Sequence, residues 1–426
     1  MKKTCFHYVW GLAISIGWTL NGCVSGASLN AELVKLETHG IHDELVYSSF
    51  LKSYEIVALS DSVPEALIKF PDRILFAEDR IFVVDRFGNK VLMFDREGNF
   101  LKSTASMTGK GHNEYIRLMD AAMDKEGRTL YVHCDAPYQI MVFDFDLNLK
   151  EVVQTDYYMD EVVADGRFIY GIRTLYRDET GFELVALERN RLQDTPRVLL
   201  SFTGGVPGRR TTGKSLMQAV DGAYVSFPFD THVYKIRNAE VVETYNMDFG
   251  EEGLIENPIR NGVTPDWFDC NCADLNWSIV NMTVSDSVML FNTNREYAFM
   301  VNTDRKSGGG YLNFHNDMLP FSFSRIIPTG GLPGTVVYRP FAETIAETLK
   351  QYREKDGTFP PELQEVERKF NPDGNPLLIV WKIKYPIRQC TNHPIRRTFH
   401  FCIRKVIAGT HLLRFRLGQL GLGSKP

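Results

Sequence analysis

Residues 79–101 read DRIFVVDRFGNKVLMFDREGNFL, and the pattern returns at residues 128–149 as RTLYVHCDAPYQIMVFDFDLNL. In both copies an apolar strand is followed by a polar turn and by a second strand that ends in Phe-Asp. Runs rich in Val, Ile, Phe and Tyr that are bounded by Gly, Asn and Asp are typical of β-hairpins. We therefore predict two copies of one hairpin unit that begin 49 residues apart.

The same pattern continues more weakly through the middle of the chain. It is visible in GRFIYGI (166–172), in GAYVSFPFDTHVYKIRNAEVVETYNM (222–247) and in DSVMLFNTNREYAFMVNTDR (286–305). Four-stranded units that recur every 40 to 50 residues or so are typical of propeller blades, because one such sheet buries both faces only when neighbours stack around an axis. The repeat predicts an all-β fold in which one domain takes up most of the chain.

Several stretches resemble a known family. RILFAEDRIFVVD (73–85), MFDREGNFLKS (93–103), GKGHNEY (109–115) and NPLLIVWKIK (375–384) are similar to segments of the six-bladed β-propeller lipoproteins of Bacteroidetes, relatives of the NHL and TolB-like propellers. The resemblance implies a six-bladed β-propeller of four-stranded antiparallel blades over residues 45–384. In the third motif His112 stands where the family usually has proline.

The N-terminus has the features of an export signal. Two lysines precede a largely apolar run from about Tyr8 to Leu20, which is shorter than the roughly 20 residues that a membrane-spanning helix needs. The tetrapeptide that ends in Cys23 is similar to a bacterial lipobox, so we predict a signal peptide at 1–22, lipid on Cys23 and an anchor linker at 23–44. An outer-membrane lipoprotein on the periplasmic side is favoured over the cell surface, because no acidic cluster follows Cys23. An ordinary cleaved signal with a chance cysteine is the alternative.

The β pattern is interrupted between residues 341 and 370. Apolar residues fall at helical spacing on both sides of a Pro-Pro pair, at Phe341, Ile345, Leu349 and Tyr352 and then at Leu363, Val366 and Phe370. This spacing predicts a helical insertion in the last blade. The strand that follows it would close the ring and remove exposed sheet edges.

Charge is distributed unevenly along the chain. The net charge is −5, yet residues 385–426 contain eight Lys or Arg and no Asp or Glu, which leaves −13 on the rest because −5 − 8 = −13. We predict that this basic tail is a disordered or non-native extension. The alternative is an arm that docks on an acidic partner or on lipid headgroups.

The segment GRRTTGKS (208–215) satisfies the phosphate-loop pattern. A phosphate loop needs a helix directly after the Ser, because the amides at the helix N-terminus bind the phosphates. Only Leu216 to Val220 precede the next turn, and strand-like sequence follows. We therefore expect no ATP binding and interpret the segment as an exposed basic loop between blades.

The family motif at Gly109, Gly111, Glu114 and Tyr115 allows two interpretations. His112 and Glu114 could act as an acid and base, but catalysis of that kind needs two groups that converge in a pocket with shifted pKa values. We favour a structural role, in which the glycines allow a tight crossing between blades and Tyr115 packs in the interior.

Some six-bladed propellers are calcium-dependent hydrolases, in which side chains from several blades hold the metal. Asp85, Asp120, Asp135 and Asn302 are candidates, although Asp and Asn are common at turns for local hydrogen-bonding reasons. No cofactor is expected, with calcium as the ion left open. No nucleic-acid partner is expected either, and the five cysteines beyond Cys23 are interpreted as mostly buried thiols.

Aromatic residues in one loop are the best candidates for ligand contact. Trp267, Phe268 and Trp277 could stack on sugar rings, so a glycan is the first hypothesis; the alternative is that they pack between blades. The sequence predicts a membrane-anchored exported lipoprotein whose propeller binds a ligand or protein partner without catalysis. A metal-dependent lactonase-like or other hydrolase is the alternative function, and a structural component of an envelope complex is the third.

Overall fold

A computed structural model describes most of the chain between residues 31 and 384. The described residues are 31–40, 43–176, 180–206, 213–219, 222–253, 264–272, 274–285, 287–295, 297–321, 326–355 and 359–384. The predicted signal peptide, the predicted lipidation site Cys23 and the basic tail lie outside them.

The structure is mostly β, with 51% strand. The first elements after residue 30 are β1 (Glu32–Thr38), β2 (Glu44–Val46), the single-turn helix α1 (Tyr47–Phe50) and β3 (Leu51–Ala58). None of these strands pairs with its neighbour in the chain; each completes a sheet formed by later residues.

Three groups of antiparallel strands come next. The first contains β4 (Arg73–Phe76), β5 (Arg80–Asp85), β6 (Lys90–Asp95) and β7 (Phe100–Ser103). The second contains β8 (Arg117–Asp124), β9 (Thr129–Ala136), β10 (Tyr138–Asp144) and β11 (Leu149–Gln154). The third contains β12 (Glu161–Ala164), β13 (Phe168–Tyr176), β14 (Thr180–Glu188) and β15 (Arg197–Gly205). The two predicted hairpins are confirmed as β5–β6 and β9–β10.

Two further groups are joined into a single sheet. They contain β16 (Leu216–Ala219), β17 (Gly222–Ser226), β18 (His232–Arg237) and β19 (Glu240–Asp248), then helix α2 (Pro265–Asn271), then β20 (Ile279–Ser285), β21 (Val288–Thr293), β22 (Ala298–Asn302) and β23 (Ser307–Tyr311). The N-terminal β1 pairs in parallel with both β19 and β23 and so creates a nine-stranded sheet. This differs from the expectation of separate four-stranded units, because β1 covers two outer edges that would otherwise be unpaired. Residues 32–38 therefore belong to the β domain and not to the anchor linker predicted at 23–44.

The last elements bring the two ends of the domain together. They are β24 (Asn313–His315), β25 (Thr329–Gly330), β26 (Thr335–Tyr338), the helices α3 (Ala342–Lys355) and α4 (Pro361–Lys369), and β27 (Leu377–Ile383). β27 pairs with β26 on one side and with the early β3 on the other, while β25 pairs with β4 and β24 with β2. The predicted helical insertion is confirmed by α3 and α4. No helix among the described residues is long and apolar enough to cross a membrane.

Alternating side chains explain why the strands are apolar along their whole length. In β5, Ile81 and Val83 face one apolar cluster, shared with β27, whereas Phe82 and Val84 face another, shared with β9 and β10. Successive side chains of a strand point to opposite faces, so a sheet covered on both faces needs apolar residues at every position. Within the described residues, six apolar clusters lie between successive sets of strands. One of them joins the last strands, β26 and β27, to the first antiparallel group.

Candidate functional site

The first strands of the five antiparallel groups, β4, β8, β12, β16 and β20, lie close to one another, and the short β25 lies beside β4 and β16. We call these six the axial strands. Arg73 at the start of β4 is fully buried and reaches two of the others. Its Nε and Nη2 donate to the two carboxylate oxygens of Asp120 in β8, at 3.2 and 3.0 Å, and Nη2 also donates to the carbonyl of Leu216 in β16, at 3.2 Å. One guanidinium therefore links three axial strands.

Lys214 and Glu161 complete a buried charge cluster with Arg73 and Asp120. The Nζ of Lys214 lies 3.2 Å from the Asp120 carboxylate, and the Glu161 carboxylate accepts the Leu216 amide at 2.9 Å. Glu161 Oε2 is also 4.0 Å from the Arg73 guanidinium. Two cations face two carboxylates, as burial of charge requires. Arg73 and Glu161 stand at the first residues of β4 and β12, so the cluster lies toward the N-terminal ends of the axial strands.

This cluster corrects the interpretation of GRRTTGKS as an exposed loop. Residues 207–212 lie outside the described part of the chain, but Lys214 and Ser215 are only 5% and 4% exposed. The residues after Ser215 form strand β16 rather than a helix. Lys214 therefore serves as a counter-ion for Asp120, and the helix that a phosphate loop uses to bind phosphate is replaced by a strand.

Asn281 positions Lys214 within the cluster. It lies at a bulge in β20 and adopts a left-handed backbone conformation, with φ of 55°. The side-chain oxygen of Asn281 accepts a hydrogen bond from the backbone amide of Lys214 at 2.9 Å. The backbone amide of Asn281 donates to the backbone carbonyl of Lys214 at 2.8 Å. Asn tolerates this conformation better than most residues, so the bulge and the lysine position are coupled.

The cluster shifts the pKa values of its acids in opposite directions. Burial by itself would raise the pKa of Asp120, but Arg73 and Lys214 lower it to about 2. Burial raises the pKa of Glu161, although Lys214 and Arg73 oppose that effect. The stronger ion pairs therefore belong to Asp120, which is the central anion.

His133 lies opposite Asp120 in the β8–β9 pairing and is 1% exposed. Burial lowers its pKa to about 4, although Asp120 and Asp135 partly oppose that effect. The imidazole is therefore neutral in the folded protein at neutral pH.

This buried histidine predicts acid sensitivity. In the unfolded chain its pKa is 6.5. Between pH 6.5 and pH 4 mainly the unfolded state takes up the proton, so the free energy of unfolding decreases as the pH is lowered. We expect unfolding free energy to drop by about 2 kcal/mol between about pH 6.5 and about pH 5 because of this residue. Urea denaturation of wild type and His133→Gln at both pH values checks this. Equal pH dependence in the two proteins would contradict it.

A cavity of about 320 Å³ lies at the opposite, C-terminal ends of the axial strands. Several axial strands and the turns after them line it, with Asp124, Lys125, Glu126, Ala164, Asp165, Gly166, Gln218, Ala219, Met282, Thr283, Val284, Thr329, Gly330, Gly331, Leu332 and Pro333. Gln218 reaches toward two neighbouring strands, since its amide nitrogen donates to the carbonyls of Ala164 and Met123, at 2.7 and 3.1 Å. The charge cluster lies near the other ends of the same strands, and none of its four residues lines the cavity.

Polar groups are distributed around the walls of this cavity. Asp124 accepts the Gly127 amide at 3.0 Å and pairs with Arg189, and Lys125 donates to the Gly331 carbonyl at 2.8 Å. Thr283 presents a buried hydroxyl that has no hydrogen-bond partner among the described residues. Carboxylates, an amide and hydroxyls can bind a ligand that carries several hydroxyl groups, while Met282, Val284 and Leu332 supply apolar contact.

The family motif has a structural arrangement. The Glu114 carboxylate accepts the Gly111 amide at 2.7 Å, and a Cβ on Gly109 would lie 2.0 Å from that carboxylate. Tyr115 is fully buried, and its hydroxyl lies 2.6 Å from the Thr104 hydroxyl. Burial raises the pKa of Tyr115 to about 12. These contacts support the packing interpretation, and His112 is exposed on the same turn.

The three predicted aromatic residues occupy different environments. Trp267 on α2 is 49% exposed, whereas Phe268 is 1% exposed. Trp277 stacks on Phe229 with ring centroids 4.8 Å apart, and Phe268 meets both rings at steep angles. Of the three, Trp267 has the surface that a ligand could cover, and the role of the set in binding stays a prediction.

The candidate metal ligands are separated by the fold. Asp120 belongs to the charge cluster, Asp85 accepts backbone amides at a turn, Asp135 pairs with Arg117, and Asn302 accepts the Arg305 amide at 2.8 Å. Among the described residues no three His, Cys, Asp or Glu side chains form a group that could hold a metal. Cys134 and Cys272 are buried and Cys270 is exposed.

Sequence reasoning missed Arg73, Glu161, Lys214 as a buried lysine, and Gln218. Arg73, Glu161 and Gln218 stand at the start of a short apolar strand or inside it, and Lys214 lies two residues before one, which are unusual places for a charged or amide side chain. That local signal could have marked them as buried, but their partners come from other strand groups and are not visible in one segment.

The closed succession of antiparallel groups around a shared centre defines a propeller-like protein. The chain belongs to the family described as Domain of unknown function (DUF4934), whose model matches residues 33–382. No curated protein matches the sequence significantly.

The solved structures that match this chain are distant in sequence. A "putative exported protein" from Bacteroides fragilis NCTC 9343 is 14% identical, with a TM-score of 0.57 over 83% of this chain and 99% of that one. BamB from Moraxella catarrhalis is 11% identical, with a TM-score of 0.38 over 66% and 72%. The Cps50 (Swd1) beta-propeller domain of Myceliophteria thermophila is 11% identical, with a TM-score of 0.32 over 53% and 64%.

Proposed function

We propose that this protein is an exported, lipid-anchored binding protein without catalytic activity, and that its axial cavity binds a small saccharide. The observation that carries the proposal is the cavity itself. Its volume of about 320 Å³ lies within the range of about 300–1,000 Å³ that is usual for small-molecule sites.

A six-bladed arrangement would explain the cavity. Six apolar clusters join successive strand groups in a closed order, and six axial strands meet at the centre. In this view the nine-stranded sheet is two blades that β1 joins at their outer edges, and β27 with β3 closes the ring. A propeller places a tapered space on its axis, where turns from several blades can contact one ligand.

The anchor proposal rests on the sequence before β1. Cys23 and the start of β1 at Glu32 are separated by only eight residues. Such a linker spans at most about 30 Å, so a lipid on Cys23 would keep the domain close to the membrane. Acyl chains attach a protein to a membrane by burying CH₂ groups in it, and each buried CH₂ group contributes about 0.8 kcal/mol.

A saccharide fits the lining better than an anionic ligand does. Glu126 and Asp165 lie at the cavity wall with one lysine, Lys125, while the third acid there, Asp124, is paired with Arg189. Carboxylates accept hydrogen bonds from hydroxyl groups but repel an acid. The lining of the cavity therefore suits neutral sugars and amino sugars, and it disfavours uronic acids.

Ligand-induced thermal stabilisation tests this function. We expect a neutral or amino mono- or disaccharide to raise the unfolding midpoint of the protein, since a ligand at 100 times its Kd adds about 2.7 kcal/mol. Ala219→Trp, which fills the cavity, should abolish the shift. Ala105→Trp, at a half-buried alanine away from the cavity, is the matched control and should retain it.

Two outcomes would contradict the proposal. If no neutral or amino sugar stabilises the wild-type protein, the saccharide assignment is wrong. If the shift persists in Ala219→Trp, the ligand binds elsewhere, and Trp267 becomes the next residue to replace.

A further inference from the structure

An exposed aromatic group lies at the other end of the axial strands from the cavity. The rings of Phe70 and Phe87 meet at 75° with centroids 5.9 Å apart, and the Arg339 guanidinium lies over Phe70, with its carbon 5.2 Å from the ring centroid. We call these three residues the aromatic knob. They come from the segment before β4, the β5–β6 turn and the segment after β26.

Asp85 connects two of the segments that form the knob. Its buried carboxylate accepts the amides of Lys69, Phe70 and Gly88, at 2.7, 3.3 and 2.7 Å. A Cβ on Gly88 would lie 2.3 Å from that carboxylate, so the turn requires glycine. The carboxylate therefore joins the backbone of the Phe70 segment to the Phe87 turn through hydrogen bonds.

The knob leaves apolar surface open to solvent. Phe87 is 73% exposed and Phe70 is 44% exposed. Ile116, 47% exposed, is tied to the same turn because the Asn89 side chain donates to its carbonyl at 2.8 Å. Single exposed apolar residues are normal, but a group drawn from separate segments that hydrogen bonds hold together is typical of an interaction site.

The surroundings of the knob are basic. Lys69 and Arg86 are exposed beside its two rings, and Arg339 is part of it. Within the described ranges none of the three forms an ion pair with a carboxylate. The nearby half-buried Asp72 accepts the Arg86 backbone amide at 2.8 Å and interacts electrostatically with both Arg86 and the buried Lys214, so its charge is shared between the two cations.

We propose that the aromatic knob docks a segment of a partner protein that presents an apolar side chain flanked by acidic residues. Aromatic residues and arginine are enriched at the cores of protein interfaces, where a few anchors carry most of the binding energy. Two rings at a steep angle form a corner that encloses one branched or aromatic side chain, whereas a sugar ring stacks best on a flat platform. The exposed cations complement acidic flanking residues. The site is separate from the proposed saccharide cavity.

Selection of random displayed peptides on the full-length protein tests this proposal. We expect enriched sequences to place Asp or Glu beside Leu, Ile, Phe or Trp. Their affinity should fall about tenfold or more in Phe87→Ala. It should be unchanged in Leu101→Ala, which removes a 43% exposed apolar side chain from β7. The double variant Lys69→Ala, Arg86→Ala should weaken binding and reduce its dependence on salt.

Three results would overturn the proposal. These are enrichment of no common motif, enrichment of peptides without acidic residues, and binding that is equal in wild type and Phe87→Ala. Co-sedimentation with phosphatidylglycerol vesicles that depends on Phe87 would assign the knob to a lipid surface and would also reject a protein partner. Since these assays do not involve the cavity, their outcome is independent of the saccharide test.

Discussion

Replacement of Asp120 by alanine is expected to lower the free energy of unfolding by about 3–5 kcal/mol, the usual effect of removing one partner from a buried ion pair. Asp120 is fully buried and faces both Arg73 and Lys214. Without its carboxylate, the two buried cations would lose the acid that contacts both of them and would retain the weaker interactions with Glu161 and Asp72. Urea denaturation of the purified full-length variant measures this change.

A surface ion pair provides the control for Asp120. Glu188 pairs with Arg167 at 2.9 Å, but their side chains are 34% and 69% exposed. We expect Glu188→Ala to cost about 0–1 kcal/mol, because solvent screens such pairs. If Asp120→Ala lowers the free energy of unfolding no more than Glu188→Ala does, the buried cluster does not stabilise the fold as its geometry indicates.

Acid titration provides a second control. The pKa of Asp120 is about 2 in the folded protein and 3.8 in the unfolded chain. A carboxyl whose pKa is lowered by folding stabilises the protein above its unfolded pKa, and that contribution is lost as the pH falls through the folded value. The difference between wild type and Asp120→Ala should therefore narrow as the pH falls from about 4 to about 2. A difference that stays constant would show that the ionised carboxylate is not responsible.

Features set by neighbours in the chain were predictable from the sequence. The β5–β6 and β9–β10 hairpins follow from alternating apolar runs around polar turns, and α3 and α4 follow from helical spacing around a Pro-Pro pair. Helix α2 had a signal that was missed. Thr264 caps it by accepting the Trp267 amide at 3.2 Å, and a proline occupies its first turn.

Features set by distant residues were not predictable in the same way. Lys214 is buried because Asp120 and Asn281, which lie far from it in sequence, surround it. The pairing of β1 with two outer strands depends on which edges the later sheets leave open. The cavity is formed by short turns that have no common sequence pattern, so only the assembled fold brings Gln218 and Thr283 together.

Trp381→Ala is expected to weaken the junction between the two ends of the domain. Trp381 is fully buried in β27, the strand that pairs with β3 and thereby joins late residues to early ones. Its ring lies 5.3 Å from Tyr47 and 5.0 Å from Tyr54, measured between centroids. Truncation of a buried tryptophan to alanine destabilises a protein by about 3–5 kcal/mol. The transfer free energy of the removed ring is lost, and the cavity that remains adds a further cost.

Hydrogen exchange distinguishes a local effect of Trp381→Ala from general destabilisation. If the β3–β27 pairing closes the domain, amides in those two strands should exchange faster than amides in β9 and β10, which lie away from the junction. Trp381→Phe should have a smaller effect, since most of the ring remains and the lost indole nitrogen has no hydrogen-bond partner within the described residues. Phe341→Ala, at a 63% exposed ring, should change stability by less than about 0.5 kcal/mol. Uniform acceleration in all strands would indicate that the domain opens as one cooperative unit, with no separately weakened junction.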